Sequence, residues 1–259
     1  MSFIRSSKEE RLFDRLDSAD FYGAETLSVF WETKQDVVEK LLPPPLESFD
    51  TPIARAYVCK FPRTNFGVSY HETALMLLCK YKGEMGVYIL AMHVDSDMAM
   101  TLGREMFGYP KKMAEINFKP GRLGASGWGK RRGVKLVEMQ SKVMKTITEE
   151  EAIEMELGPF EGQNTVFLFK HFPAQDAAGF DYPPRLVRGP VTHKYNSMKV
   201  GHGNIKFTPS KYDPWQEVEV VKMLGASLTV GDNSMLKGDI LSEVDTEEFK
   251  PYSYLKWDD

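Results

Sequence analysis

Cysteine is nearly absent from this chain, which has only Cys59 and Cys79. They lack the short Cys-x-x-Cys spacing of metal and redox sites, so both read as buried, reduced thiols without a disulfide framework. The five histidines, His71, His93, His171, His193 and His202, include no pair spaced to share a helical face. That argues against zinc, and no metal is expected. No apolar run approaches the roughly 18 residues of a membrane span, so no membrane partner is expected. The first ten residues mix both signs of charge and lack the apolar stretch of a secretory signal, which makes the cytoplasm the expected location. Neither sign of charge dominates: 33 lysines and arginines stand against 37 aspartates and glutamates, for a net charge of -4. Nothing in that balance draws the chain to nucleic acid.

What is present is an ordinary globular composition, 42% apolar and 27% charged over 259 residues, read as one domain spanning 1–259. Runs rich in Val, Ile, Phe and Tyr, bounded by Gly, Pro or Asp, predict strands at 27–31, 53–60, 69–81, 84–94, 114–119, 133–145, 164–172, 186–195 and 203–207. Parallel crossovers need about a dozen intervening residues, so such close spacing favours antiparallel pairing. The expected class is therefore α+β and β-rich.

Two helices interrupt the strands. Thr33 with Asp36 three positions on opens the first, and Pro43-Pro44-Pro45 closes it. The second is expected at 98–106, entered from Asp95-Ser96-Asp97 and stopped at Gly108 with Pro110 beyond. The stretch 215–224 fits a helix or a strand. Lys82-Gly83-Glu84 reads as a tight hairpin turn. Residues 121–133, glycine-rich and basic, read as a flexible hairpin loop and not a phosphate loop, because no strand-then-helix context surrounds them. Lys130-Arg131-Arg132 within it reads as a solvated turn, and His202, between two glycines, as another turn. Methionines such as Met92, Met98, Met100, Met106 and Met113 are expected to fill the core, a few lining a pocket. A charged tail from Asp245 onward is expected to pack through Tyr252, Tyr254 and Trp257.

The most informative stretch is Gly103-Arg104-Glu105-Met106-Phe107-Gly108-Tyr109-Pro110-Lys111-Lys112, which sets two lysines directly after a helix stop and a proline. A lysine amine ordinarily titrates near 10.4 and is protonated at neutral pH. To act as a nucleophile it must be deprotonated, by desolvation or by a nearby cation. At about 5 Å and an effective dielectric of about 20, a like charge contributes about 3 kcal/mol, roughly two pKa units. Adjacent residues on a strand point to opposite faces, however. Burial of Lys111 is thus expected to outweigh Lys112, whose part is secondary or structural. Spacing alone leaves open an ordinary exposed lysine pair.

That segment resembles the signature of the acetoacetate decarboxylase family, in which the first lysine of a Pro-Lys-Lys triplet forms a Schiff base. Activation by a neighbouring cation is that family's own known example and follows from the resemblance. Tyr70-His71-Glu72-Thr73 resembles the segment carrying the family's active-site glutamate, 39 positions before Lys111. Val37-Val38-Glu39-Lys40-Leu41-Leu42-Pro43-Pro44-Pro45-Leu46 is similar to its helix and proline-rich turn. Gly201-His202-Gly203 and Asp213-Pro214 are similar more loosely. One departure stands out, because the family's decarboxylases carry an arginine in the N-terminal strand where this chain has Ala24 and Glu25.

The resemblance implies a closed or cone-like antiparallel barrel, a homo-oligomer, a small keto acid as substrate and no cofactor. It implies Lys111, Glu72 and Lys112 as catalytic residues, with Arg104, Tyr109 and Met92 binding substrate. Arg55, Arg63 and Arg104 are the candidates for holding a substrate carboxylate. Decarboxylation of a β-keto acid leads, other imine chemistry such as aldol, dehydration or cyclisation reactions comes second, and a non-catalytic binding oligomer third.

Overall fold

The computed structural model of the chain describes residues 17–148, 150, 151, 165–176 and 178–258. Its strands in chain order are β1 (Ser18–Glu32), β2 (Glu47–Ser48), β3 (Ile53–Phe61), β4 (Arg63–Thr64), β5 (Tyr70–Tyr81), β6 (Glu84–Val94) and β7 (Lys111–Met113). They continue as β8 (Glu115–Gly121), β9 (Gly124–Arg131), β10 (Val134–Ile147), β11 (Thr165–Lys170), β12 (Arg185–Phe207), β13 (Lys222–Leu236) and β14 (Asp239–Glu243). Short α-helices among the described residues include α1 (Gln35–Leu41), α2 (Asp97–Leu102) and α3 (Thr246–Phe249). The β-rich class is as the sequence predicts, and no described helix is long and apolar enough to cross a membrane.

Strand pairing runs β6-β5-β3-β1-β13-β12, and β11 then bonds both β12 and β6. That double pairing closes seven strands into a barrel, leaving none of their edges unpaired along the circuit. Around that circuit the pairing is antiparallel except between β11 and β6; off it, β7 also lies parallel to β6. Period-two alternation splits the side chains into two sets. On β5, Tyr70, Ala74, Met76 and Leu78 join one apolar cluster inside the barrel, while Leu75, Leu77 and Cys79 join another on its outer face. Strands β8, β9 and β10 cover that outer face, contributing Phe118, Ala125, Val137 and Met139.

Several expectations change here. The supposed flexible loop at 121–133 is largely strand β9. Its glycines serve close packing, since a Cβ on Gly127 would lie 2.4 Å from Val58 Cγ1 on β3. The strands expected at 186–195 and 203–207 are one, β12, and His202 lies within it, not in a turn. The ambiguous stretch 215–224 begins as a single 3-10 turn, Trp215–Glu217, and ends in β13. Most of β13, from Gly225 on, and all of β14 were not anticipated. Lys34, not Thr33, occupies the cap of α1, with no side-chain bond to it. Met98, Met106 and Met113 are exposed instead of core, being on outward faces of α2, the following turn and β7, whereas Met92 is buried. Both cysteines are buried free thiols, as expected. In the tail, Phe249 is buried and Tyr252 packs against the outer cluster; Trp257 stays exposed, and the Tyr254 side chain is outside the described residues.

Candidate active site

Lys111 opens β7, which lies parallel to β6 with Lys111 opposite Met92. The chain reaches it through α2, capped by Ser96, whose hydroxyl accepts from the Ala99 amide at 3.3 Å. A π-helical turn, Gly103–Phe107, follows and stops at Gly108 in the left-handed region (φ 91). The amides of Gly108 and Tyr109 both donate to the Gly103 carbonyl at 3.0 Å, fixing the turn against the strand. Gly103 has to be glycine for a packing reason. A Cβ there would lie 2.6 Å from Lys111 Cδ and 2.7 Å from its Cε, so the lysine stem passes directly over the bare backbone.

Lys111 is 6% exposed and Glu72, on β5, is 4% exposed. The lysine Nζ donates to Glu72 Oε2 at 2.8 Å. Tyr57, from the facing strand β3, donates its hydroxyl to Glu72 Oε1 at 2.5 Å, and Tyr70 reaches Oε2 at 3.4 Å. The rings of Tyr70 and Tyr109 each sit 5.5 Å from the Lys111 Nζ, within cation–π range. Burial pushes the phenols of Tyr57, Tyr70 and Tyr109 up, and the Glu72 charge adds to the effect. They therefore stay protonated, Tyr57 and Tyr70 donating to the carboxylate and Tyr109 to Met235 Sδ at 3.9 Å. Cys59, also facing this space, is pushed up by burial and by Glu72, so it remains a thiol.

These groups line a cavity of about 120 Å³ inside the barrel. Its apolar wall includes Phe21, Met76, Ile89 and Met92; its polar wall includes Arg55, His193, Asn233 and Thr229. Arg55 donates through Nε and Nη2 to Ser28 Oγ at 3.1 and 2.8 Å, with its guanidinium 5.4 Å from the Tyr57 ring centre. His193 Nδ1 lies 2.9 Å from Asn233 Oδ1, and its ring stacks on Tyr195 at 5.5 Å. Ala24 also borders the cavity, so the position where the resemblance leads one to look for arginine does face the site.

The site residues expected from sequence divide into two groups. Lys111, Glu72, Tyr109 and Met92 converge on this cavity. Lys112 does not: strand alternation turns it to the other face, where its Nζ donates to Asp213 Oδ1 and the Tyr212 carbonyl at 3.1 Å. It borders a different cavity, of about 220 Å³, with His93 and Trp215. Arg104 is likewise outside, its guanidinium 5.1 Å from the Trp257 ring centre, because the turn that aims Gly103 at Lys111 sends the next side chain away. Arg63 stacks over Tyr22 instead of entering the barrel, which leaves Arg55 as the candidate cation that does border it. His71 points away from Glu72, as alternation requires, and pairs with Asp95 at 2.8 Å.

Asp213 anchors the other face. It takes Lys112, His93 Nε2 at 3.1 Å and Arg131 at 2.9 Å, so Arg131 is a partly buried ion-pair partner and not part of a solvated turn. Its carboxyl lies well below the usual range, where bonding to His93 and the charges of Lys112 and Arg131 overcome burial.

A family described as acetoacetate decarboxylase (ADC) matches residues 2–244. The chain belongs to the acetoacetate decarboxylase family. "Acetoacetate decarboxylase 3" of Mesorhizobium japonicum is 36% identical over 95 residues, covering 36% of each chain. Over that part, then, the chain spans about a third of the relative's length. "CLA biosynthesis isomerase" of Lactiplantibacillus plantarum is 26% identical over 262 residues, covering 96% of this chain and 92% of the relative. The crystal structure of acetoacetate decarboxylase from Legionella pneumophila superposes with a TM-score of 0.77 at 20% identity, covering 93% of this chain and 99% of that one. That likeness establishes the acetoacetate decarboxylase fold for this barrel. The named activities of family relatives include both decarboxylase and isomerase.

Proposed function

We propose that Lys111 captures the oxo group of a small keto acid as a Schiff base, and that the imine then undergoes loss of a β-carboxylate. The carrying observation is one buried amine, 2.8 Å from a buried carboxylate, facing an otherwise largely apolar cavity. Glu72 takes the proton that the Lys111 ammonium must shed before attack. The neutral amine adds to the ketone carbon, water leaves, and an iminium forms. The electrons of the bond to the departing carbon dioxide flow into that iminium and leave an enamine. A proton returned to the enamine carbon, and then hydrolysis, release the ketone and restore Lys111. Tyr57 and Tyr70 hold the Glu72 carboxylate in position throughout. The largely apolar barrel lining strengthens these charge interactions. Lys112, which faces away, supports β7 through Asp213 and takes no direct part in this reading.

A second reading keeps the Schiff base and changes the bond that breaks or forms after it. Ala24 on the cavity wall favours it, since alanine cannot fork onto a carboxylate as arginine does. Arg55, farther along the wall beyond the Tyr57 ring, suits a carboxylate more remote from the oxo carbon. Borohydride reduction with a panel of keto acids, read by intact mass, tests the shared step. A substrate-sized adduct is expected in the native protein and none in Lys111→Ala. No adduct with any oxo compound would end both readings. Release of carbon dioxide from acetoacetate or a longer β-keto acid then separates the first from the second.

A further inference from the structure

The cavity of about 220 Å³ that Lys112 borders lies outside the barrel, and the Schiff-base reading makes no use of it. Leu75 and Leu90 give it a buried apolar floor, while Pro214, Pro251 and Trp257 form an exposed rim. His93 and Trp215 share its wall, their rings stacked 5.4 Å apart between centres and 15° from parallel. His93 is 1% exposed and Trp215 2%. Yet among the described residues neither His93 Nδ1 nor Trp215 Nε1 has a hydrogen-bond partner. Buried polar atoms are nearly always paired, because the water they give up has to be replaced.

The two nitrogens need complementary partners. His93 Nε2 lies 3.1 Å from Asp213 Oδ1, and an ionised carboxylate only accepts, so the ring proton sits on Nε2. Burial holds the imidazole neutral against the pull of Asp213, which leaves Nδ1 as a lone pair that calls for a donor. Trp215 Nε1 can only donate and calls for an acceptor. The charged side chains of the wall are meanwhile already matched. Lys112 pairs with Asp213 at 3.1 Å and Glu217 with Lys40 at 3.4 Å, while the exposed Lys211 lies 4.6 Å from the Tyr212 ring centre. A charged occupant would therefore lack a counter-charge of its own.

We propose that this cavity binds a small uncharged carboxamide carried on an apolar body. The amide oxygen accepts from the Trp215 N–H, the amide N–H donates to the His93 lone pair, and the body rests on Leu75 and Leu90. A ketone or a carboxylate offers the oxygen but has no hydrogen for His93. Size permits a one-ring ligand, since an apolar cavity of about 150 Å³ already admits benzene.

Benzamide titrated into the full chain, isotopically labelled at its four tryptophans, tests this through the indole N–H resonances. The resonance missing from Trp215→Phe belongs to Trp215. It is expected to move saturably with benzamide, while that of Trp128, on β9, stays in place. Acetophenone, which keeps the oxygen and lacks the N–H, should need about tenfold more ligand for half-saturation, the worth of one hydrogen bond. Sodium benzoate should bind no better than acetophenone. A Trp215 resonance that stays still, or moves without saturating, would overturn the proposal and leave the nitrogen pair to water. Equal half-saturation by all three compounds would also overturn it, reducing the site to an apolar hole, and tighter binding of benzoate would do so by making it an anion site. If Trp215→Phe fails to fold, Trp31→Phe, Trp128→Phe and Trp257→Phe identify the fourth resonance by elimination.

Discussion

Glu72 accepts from Lys111 and Tyr57 together, so glutamine in its place removes the charge while keeping the shape. Glu72→Gln is expected to lower the thermal midpoint, since the buried Lys111 amine loses its counter-charge, and to lower kcat by about a hundredfold or more, the usual worth of a positioned proton acceptor. Gly103→Ala probes the same amine from behind. Its methyl would have to displace the Lys111 stem, so the rate of adduct formation in the borohydride assay should fall, with a stability loss of about 1–3 kcal/mol. Arg55→Ala should raise KM for acids more than for the matching neutral ketones. Lys111 and Glu72 were legible in the sequence because each sits in a local motif. Arg55 was one of three candidate arginines that the sequence could not rank; Tyr57, His193 and Asn233 were not foreseen, because they meet the site only through strand register. Glu72 faces Cys59 across the β3–β5 ladder, and only that pairing brings Tyr57 within reach.

At the scale of elements, alternation explains what the sequence could tell and what it could not. The turn from Gly103 to Gly108 was readable from its helix-stop pattern, and β5 and β6 from their apolar runs. Strand β9 was hidden because its small residues are selected for close approach to β3, which looks like loop composition from the sequence alone. Arg131 was misread for the same reason: its partner, Asp213, is 82 positions away. Asp213 ties β7, β6 and β9 together through Lys112, His93 and Arg131. Asp213→Ala leaves Lys112 and Arg131 with Asp258 as their remaining carboxylate and takes the partner of buried His93, so it should lower stability, read by urea unfolding. Lys112→Met, by contrast, should retain the borohydride adduct at Lys111, which measures how far the second lysine matters to the first.

For the whole molecule, pH reads out Lys256, a lysine of the tail that is 7% exposed. The ordinary lysine value is 10.5 and the folded Lys256 titrates near 7, so between them the unfolded chain binds more protons and stability rises with pH. The midpoint should climb from pH 7 toward 9.5, and that climb should flatten in Lys256→Met. Above about pH 10 the trend reverses, because the phenols of Tyr57, Tyr70 and Tyr109 keep their protons only in the folded state. Composition and periodicity gave the β-rich class; the barrel's closure was expected only by resemblance, because it depends on β11 bonding two strands distant in sequence. That closure also limits how substrate preference can change. A hoop of strands bonded on both flanks cannot widen by parting at a seam. New substrates must be accommodated by trading one inward side chain for another, at positions such as Ala24, Met76 and Ile89, while the outward set that stabilises the wall is left alone.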